Sequence, residues 1–291
     1  MRDVCPNIFH TFPICFIIND GHPVLGMIMR FYQVDAFAER PFEGNPAAVC
    51  ILETWIPDDL MLKIAVENNL SETAFAVGSN GSYRLRWFTP GGEINLCGHA
   101  TLATSYVIMN KIEPGRTHVD FDTMSGHLAV DREGDMYVLD FPRISTHPYE
   151  VRDEMAEALG VRPLEVWMGE RDPIFLLDSE DEVRGLDPDI DRIKALPEGL
   201  GAFVTAKGTD CDFVSRSFWP KLNVPEDPVC GSMHCSLADF WQRRLGKEEF
   251  LAHQVSPRGG WLRVKCDGDR IRIGGKATLY AVFDVDDSII V

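Results

Sequence analysis

Glu93-Ile94-Asn95-Leu96-Cys97-Gly98-His99 decides the fold, because a version of it returns as Glu226-Asp227-Pro228-Val229-Cys230-Gly231-Ser232. The shared frame Glu-x-x-x-Cys-Gly recurs 133 positions downstream, from Cys97 to Cys230. A second pair lies upstream of each. Arg86-Trp87-Phe88-Thr89-Pro90 and Arg216-Ser217-Phe218-Trp219-Pro220 both read Arg-x-Phe-x-Pro, at an offset of 130 from Arg86 to Arg216. The second loop therefore carries three extra residues (133 against 130). Apolar residues at helical spacing follow in both places: Ala100, Leu102, Ala103, Tyr106 and Val107, then Leu237, Ala238, Phe240 and Trp241. Two motifs repeated in one order at nearly one offset describe an internal duplication, and so two similar domains.

Length agrees with this. A chain of 291 residues has room for two domains with a core each. Its 45% hydrophobic and 25% charged residues are ordinary globular values. A formal net charge of −17 argues against nucleic acid or an anionic membrane as partner. A pocket's local potential can oppose the global one, so a small anionic substrate stays open. The 8 cysteines contain no Cys-x-x-Cys pair, and the chain is too long for a disulfide scaffold. Reduced thiols in a cytoplasmic protein are expected. No apolar run approaches the roughly 20 residues of a membrane span.

Residues 1–28 look foreign to the rest of the chain: the apolar run at 12–18 is brief and lacks a small-residue cleavage site. They are expected to form a loose extension. From residue 30 onward, alternation and turn residues predict strands at 30–37, 47–52, 71–77 and 83–88. Pro57-Asp58-Asp59 opens a helix with Leu60, Met61, Ile64 and Ala65 on one face. Pro114-Gly115 ends the helix after Cys97 and marks the expected crossing between domains. Strands follow at 118–123, 127–131 and 136–141, a short helix at 153–159, and a strand at 174–177. Residues 178–191 are acidic and read as loop. Strands at 202–206 and 212–218 lead into the second Cys-Gly, and Asp267-Gly268 signals a hairpin before a last strand at 277–285. Many strands, few helices and no steady βαβ alternation predict an α+β fold.

Where chemistry could sit follows from the two Cys-Gly helix starts. The first amides of a helix lack partners within it, and the helix dipole adds to them, so each start suits an anion. Glycines that merely shape a tight turn are the alternative. Facing copies would form a cleft between domains, a usual place for a ligand. A Gly98–Gly231 separation above roughly 15 Å would rule out one shared site, since hydrogen bonds of ~3 Å must span a small ligand. His99 and Ser232 occupy matching positions after each glycine. Glu72 and Asp227, taken alone, read as an ordinary strand residue and an ordinary turn residue.

Five stretches occur in order: Gly44-Asn45-Pro46-Ala47-Ala48-Val49, Asn69-Leu70-Ser71-Glu72-Thr73-Ala74-Phe75, Arg86-Trp87-Phe88-Thr89-Pro90, Leu96-Cys97-Gly98-His99-Ala100-Thr101 and Glu226-Asp227-Pro228-Val229-Cys230-Gly231-Ser232. With them the chain, from Met29 to its end, closely resembles the PhzF-like proteins, relatives of the phenazine biosynthesis isomerase. The resemblance implies a diaminopimelate-epimerase-like fold of two similar domains, each a curved, mostly antiparallel sheet around a central helix. The expected limits are 1–28 for the extension, 29–115 with 277–291 for the first domain, and 116–276 for the second. The resemblance also implies a homodimer and cofactor-free proton transfer on a small carboxylate substrate. In the phenazine enzyme itself the reaction is isomerisation of a dihydro-hydroxyanthranilate by a proton shift. Carried onto this chain, Glu72 is the main acid/base group, with His99 and Asp227 beside it. Ser232 and the amides of Gly98 and Gly231 hold the substrate. A carboxyl buried between domains has its pKa raised towards neutrality, which suits both removal and return of a proton. Helix amides would receive the developing negative charge.

Three other readings compete. In the related epimerases two cysteines at these helix starts act as opposed base and acid, and here Cys97 and Cys230 fill both places. A helix N-terminus lowers a thiol pKa, so a two-cysteine amino-acid epimerase or racemase is the chemical alternative. A metal site from Cys97, His99, Cys230, His234 and Cys235 has spacing unlike a zinc knuckle, and no metal is expected. A non-enzymatic binding protein on the same fold is the competitor from another class.

Overall fold

The computed structural model describes residues 29–286 and, before them, the backbone of two short strands, 15–19 and 22–26. These two, β1 (Cys15–Asn19) and β2 (His22–Gly26), pair antiparallel as a hairpin apart from the main sheet. The rest of the loose extension expected over 1–28 lies outside the described residues.

The chain then runs through β3 (Met29–Ala36), β4 (Asn45–Leu52), α1 (Asp58–Asn68) and β5 (Glu72–Ser79). β6 (Ser82–Thr89) and β7 (Gly92–Ile94) deliver it to α2 (Gly98–Val107). A π-helical turn, Ile108–Ile112, prolongs α2 before β8 (His118–Thr123), β9 (Gly126–Glu133) and β10 (Met136–Pro142). Then come β11 (His147–Tyr149), α3 (Asp153–Leu159), β12 (Glu165–Met168) and β13 (Pro173–Leu176). Next come α4 (Glu180–Gly185), α5 (Ile190–Ala195), β14 (Ala202–Lys207) and β15 (Phe213–Trp219). A 3₁₀ turn, Pro220–Leu222, leads to β16 (Val224–Asp227) and α6 (Met233–Leu245). β17 (Glu249–Gln254), β18 (Gly260–Asp267), β19 (Arg270–Gly275) and β20 (Ala277–Val285) complete it.

The strands β3 to β20 form one large curved sheet system, mostly antiparallel, with few helices: the fold is α+β. The duplication is written into its pairing. β4 lies parallel to β5, and β13 to β14; β6 lies parallel to β8, and β15 to β17. The strand after Pro114-Gly115 thus returns beside β6 in the first unit's sheet. β20 comes back to pair with β3, and β10 joins β19 across the two units.

Each unit wraps a helix. In α2 every residue from His99 to Ser105 is buried, and in α6 the same holds from Met233 to Trp241. A helix apolar or small on all sides belongs inside a core. By contrast α1 buries only Met61, Ile64 and Ala65, and lies on the outside against β5 and β6.

The repeated motifs have one physical cause in both units. Arg86 on β6 donates through Nε and NH2 to the two carboxylate oxygens of Glu93 at 2.6 and 2.7 Å. Arg216 on β15 donates in the same way to Glu226, at 2.7 and 2.9 Å. The guanidinium of each lies over the phenylalanine two residues on, Phe88 at 5.1 Å and Phe218 at 5.0 Å. Arg-x-Phe and the glutamate before Cys-Gly are therefore a bidentate clamp, rigid because both partners are planar. It fixes the strand–turn–strand that aims each central helix.

The acidic stretch read as loop is the clear departure. Residues 180–185 and 190–195 are helical. Ser179 and Asp189 cap them by accepting from the amides of Glu182 and Arg192. The acidic residues sit in the first turn of α4, where the dipole favours them. One turn and a half is too short for a period to show in sequence.

Candidate active site

The two helix starts meet. A Cβ built on Gly98 would lie 4.0 Å from the Cα of Gly231 and 3.4 Å from the Phe141 ring. Neither glycine has a positive φ, so a forced turn does not account for them; what their lack of a side chain permits is the close approach. α2 begins at Gly98 with Cys97 as an extended N-cap, whereas α6 begins only at Met233. Gly231 and Ser232 form the turn before it, and the amides of His234 and Cys235 donate to their carbonyls. Neither helix start has a side-chain cap.

A cavity of about 740 Å³ opens at this meeting point. The first unit contributes Glu72, Cys97, Gly98 and His99 to its wall, and the second Asp227, Cys230, Gly231 and Ser232. Every catalytic and substrate-binding residue named from the sequence, and the cysteine pair, faces this one cavity; His234 and Cys235 do not line it. A second groove of about 520 Å³ lies on the outer face of the sheet. Six of its charged residues form ion pairs, Lys247 with Asp212, Lys265 with Glu249 and Arg272 with Glu133.

Glu72 is the first residue of β5 and is set beside Ala47 of the parallel β4. Its Oε2 approaches His99 Nε2 to 2.9 Å, yet off the hydrogen-bond direction, so neither atom has a hydrogen-bond partner. On the other side of the imidazole, Nδ1 lies 3.2 Å from Asn45 Nδ2 and 3.5 Å from Cys97 Sγ. Asn45 Nδ2 also donates to Asp227 Oδ1 at 2.7 Å and to the Val229 carbonyl at 3.1 Å. Glu72, His99 and Asp227 are thus one connected group, assembled across the two units through Asn45.

Burial and neighbouring charge tune these groups. Asp227 retains partial exposure, through the cavity, but its carboxyl is deep enough for desolvation to push its pKa from 3.8 up to about 6; His99 opposes this and Glu72 adds to it. Burial by itself would lower His99, but Cys97 and Glu72 outweigh it and raise it well above 6.5. Burial, with Glu72, also raises the Cys97 thiol, so Cys97 is protonated near neutrality. We therefore hold the Glu72 carboxylate responsible for the raised imidazole. Burial likewise raises Cys230 well above 9, with Asp227 adding to it. The lowering expected of a thiol at a helix start is outweighed in both, since desolvation acts on the whole thiolate charge and the helix end carries only about half a unit charge.

Glu72, Cys97 and His99 are, among the described residues, the trio of potential metal ligands whose donor atoms lie within 4.8 Å of one another. Their arrangement does not fit one ion. The sulfur stands against Nδ1 and the carboxylate against Nε2, so an ion bound to either nitrogen lies on the wrong side of the ring for the other ligand. Of the remaining candidates, His234 Nδ1 is engaged by the Cys230 carbonyl at 2.8 Å.

Two residues essential to this geometry drew no functional reading from the sequence. Asn45 stands in a quoted motif, but only its contacts give it a part. Gln254, at the end of β17, accepts from the Cys230 amide at 2.8 Å and donates to the Asp227 carbonyl at 2.7 Å and to Ser217 Oγ at 3.2 Å. It ties both ends of the loop between Asp227 and Cys230, and no local pattern announces it.

The family described as phenazine biosynthesis-like protein, PhzC-PhzF, matches residues 34–282. An uncharacterized isomerase of Pseudomonas aeruginosa is 49% identical over 256 residues, 87% of this chain and 97% of its own. The crystal structure of a PhzF-family phenazine biosynthesis protein from Enterococcus faecalis superposes with a TM-score of 0.87 at 48% identity, covering 89% of this chain and 99% of that one. A predicted epimerase from Pseudomonas aeruginosa, at 24% identity and a TM-score of 0.65 over 88% of this chain and 99% of that one, shares the fold.

Proposed function

Because this chain belongs to the phenazine biosynthesis-like (PhzC-PhzF) family, several of whose members are named isomerases, we propose that it is an isomerase moving a proton on a small carboxylate substrate by carboxylate acid/base catalysis, without a cofactor. One observation carries the reading: Glu72, His99 and Asp227 converge beside the paired Gly98 and Gly231 in a single cavity.

In the proposed step the Glu72 carboxylate takes a proton from a carbon made acidic by an adjacent unsaturated or carbonyl group. The C–H electron pair moves into that group, and negative charge develops there. The amides at Gly98 and Gly231, with the Ser232 hydroxyl, receive this charge. Glu72, now protonated, returns the proton to a second carbon, which completes an isomerisation with no net change in atoms or electrons. His99 Nε2, 2.9 Å from Glu72 Oε2, is the group beside the base. Asp227, titrating at about 6, is a second group able to hold a proton near neutral pH. The raised thiols of Cys97 and Cys230 count against the two-cysteine epimerase. A homodimer is part of the proposal and is read from the mass in solution by sedimentation.

The test is deuterium exchange from deuterated water into a panel of small carboxylic acids. Glu72→Gln keeps shape and hydrogen bonding but removes the base, and should cost ~10²–10⁴ in rate. Cys97→Ala and Cys230→Ala should cost much less. Exchange that survives Glu72→Gln and vanishes in both Cys→Ser variants would assign the chemistry to the thiols. Exchange by no form of the protein would favour a binding protein.

A further inference from the structure

Asn45 is fully buried and heads β4, next to the site, from a turn that is held unusually firmly. Gly44 has φ +66, and a Cβ there would lie 2.1 Å from the Ala36 carbonyl oxygen, so only glycine fits. The second unit holds the turn from outside. The Gly44 amide donates to the Gly259 carbonyl at 2.7 Å. Arg258 donates to the carbonyls of Gly44 and Glu43 at 2.8 and 2.9 Å, and to Asp35 at 2.8 Å. With its backbone fixed, the Asn45 amide has little freedom.

Its Nδ2 donates to Asp227 Oδ1 and to the Val229 carbonyl, which takes up both of its hydrogens, and lies 3.2 Å from His99 Nδ1. Its own oxygen has no partner. Turning the amide over would set that oxygen against a carboxylate and a carbonyl, so the contacts themselves dictate the orientation. An N–H aimed at a carboxylate favours the ionised form.

We propose that Asn45 is the positioning residue of the proton-transfer group: a single amide, donated across the boundary between the units, holds Asp227 beside His99 and Glu72 and makes it harder to protonate. This rests on the site assignment above for its consequence and on contacts alone for its geometry. The other groups facing Asp227 are His99, Glu72 and Cys230, and those facing His99 are Cys97 and Glu72. None of them is supplied by Asn45. Asn45 therefore offsets part of the effect of burial, and keeps Asp227 ionised when the cavity faces neutral solution.

The experiment titrates the full chain labelled with ¹³Cγ-aspartate by NMR, and does not depend on any substrate. In Asn45→Ala the Asp227 midpoint should rise by about one pH unit, a tenfold gain in proton affinity, the usual size for loss of one hydrogen bond to a charged group. Asn45→Asp keeps the shape, reverses the donor, and should move the Asp227 signal further the same way; it serves if the alanine variant does not fold. An Asp227 midpoint unmoved in the folded variants would overturn the proposal. Loss of exchange in Glu72→Gln tests the reaction separately, so the two ideas can fail independently.

Discussion

Asp227→Asn should make this protein more stable at neutral pH even though it removes a carboxyl from the proposed active site. In the fold, the Asp227 pKa is pushed from 3.8 to about 6, chiefly by desolvation. Below roughly pH 3.8 the group is protonated in both folded and unfolded chains, and contributes nothing. Between 3.8 and 6 the unfolded chain has already released its proton while the folded one holds it, so each pH unit upward costs stability. Above 6 the fold carries the full burden of a buried carboxylate. At about 1.4 kcal/mol per pH unit, the gap of 6 − 3.8 is worth roughly 3 kcal/mol, and solvent reaching Asp227 through the cavity reduces this to about 1–3 kcal/mol. An asparagine there still accepts from Asn45 Nδ2, now at 2.7 Å from the carboxylate, so little packing is lost. The assay is urea unfolding of wild type and variant at pH 4 and pH 8. The variant's advantage should be near zero at pH 4 and present in full at pH 8. The same advantage at both pH values, or a variant weaker at pH 8 than at pH 4, would refute the reasoning. A functional group that costs stability is the expected trade in an active site.

Other consequences are as direct. Arg216→Ala should cost ~3–5 kcal/mol of stability, because it strands the Glu226 carboxylate and the carbonyls of Val183 and Leu186, which Arg216 meets at 3.2 and 2.6 Å. Arg86→Ala should cost less, since its third contact is the exposed Asp58; thermal unfolding that ranks the two in the opposite order would contradict this. Alkylation followed by mass mapping at pH 7.5 should modify half-exposed Cys211, whose thiol is pushed up to about 11, before Cys97 or Cys230, which are buried and also raised. Rapid labelling of either helix-start thiol would show that the dipole prevails over burial. Labelling of all of them should quicken as pH rises, because only the thiolate reacts.

Much of the architecture was legible in sequence, for a definite reason. The repeat of Arg-x-Phe-x-Pro and Glu-x-x-x-Cys-Gly survives because each copy closes a clamp within ten residues, Arg86 with Glu93 and Arg216 with Glu226. Local contacts leave local patterns, and so do central helices that must be apolar or small all round. α4 and α5 were missed because one or two turns show no period, and their capping residues also suit a loop. The helix does end before Pro114-Gly115, and the strand after them pairs parallel to β6, a long-range choice that no local signal encodes.

The site divides in the same way. Sequence by itself determined the duplication, the α+β class and the family, and through them which ionisable residues to watch. Only the tertiary structure decided that Asn45 reaches His99 over a separation of 54 residues and Asp227 over 182, that Gln254 ties down the second loop, and that burial raises the two helix-start thiols. Those outcomes depend on desolvation and on the angle at which distant strands deliver a side chain, and neither quantity exists until the two units have closed on each other.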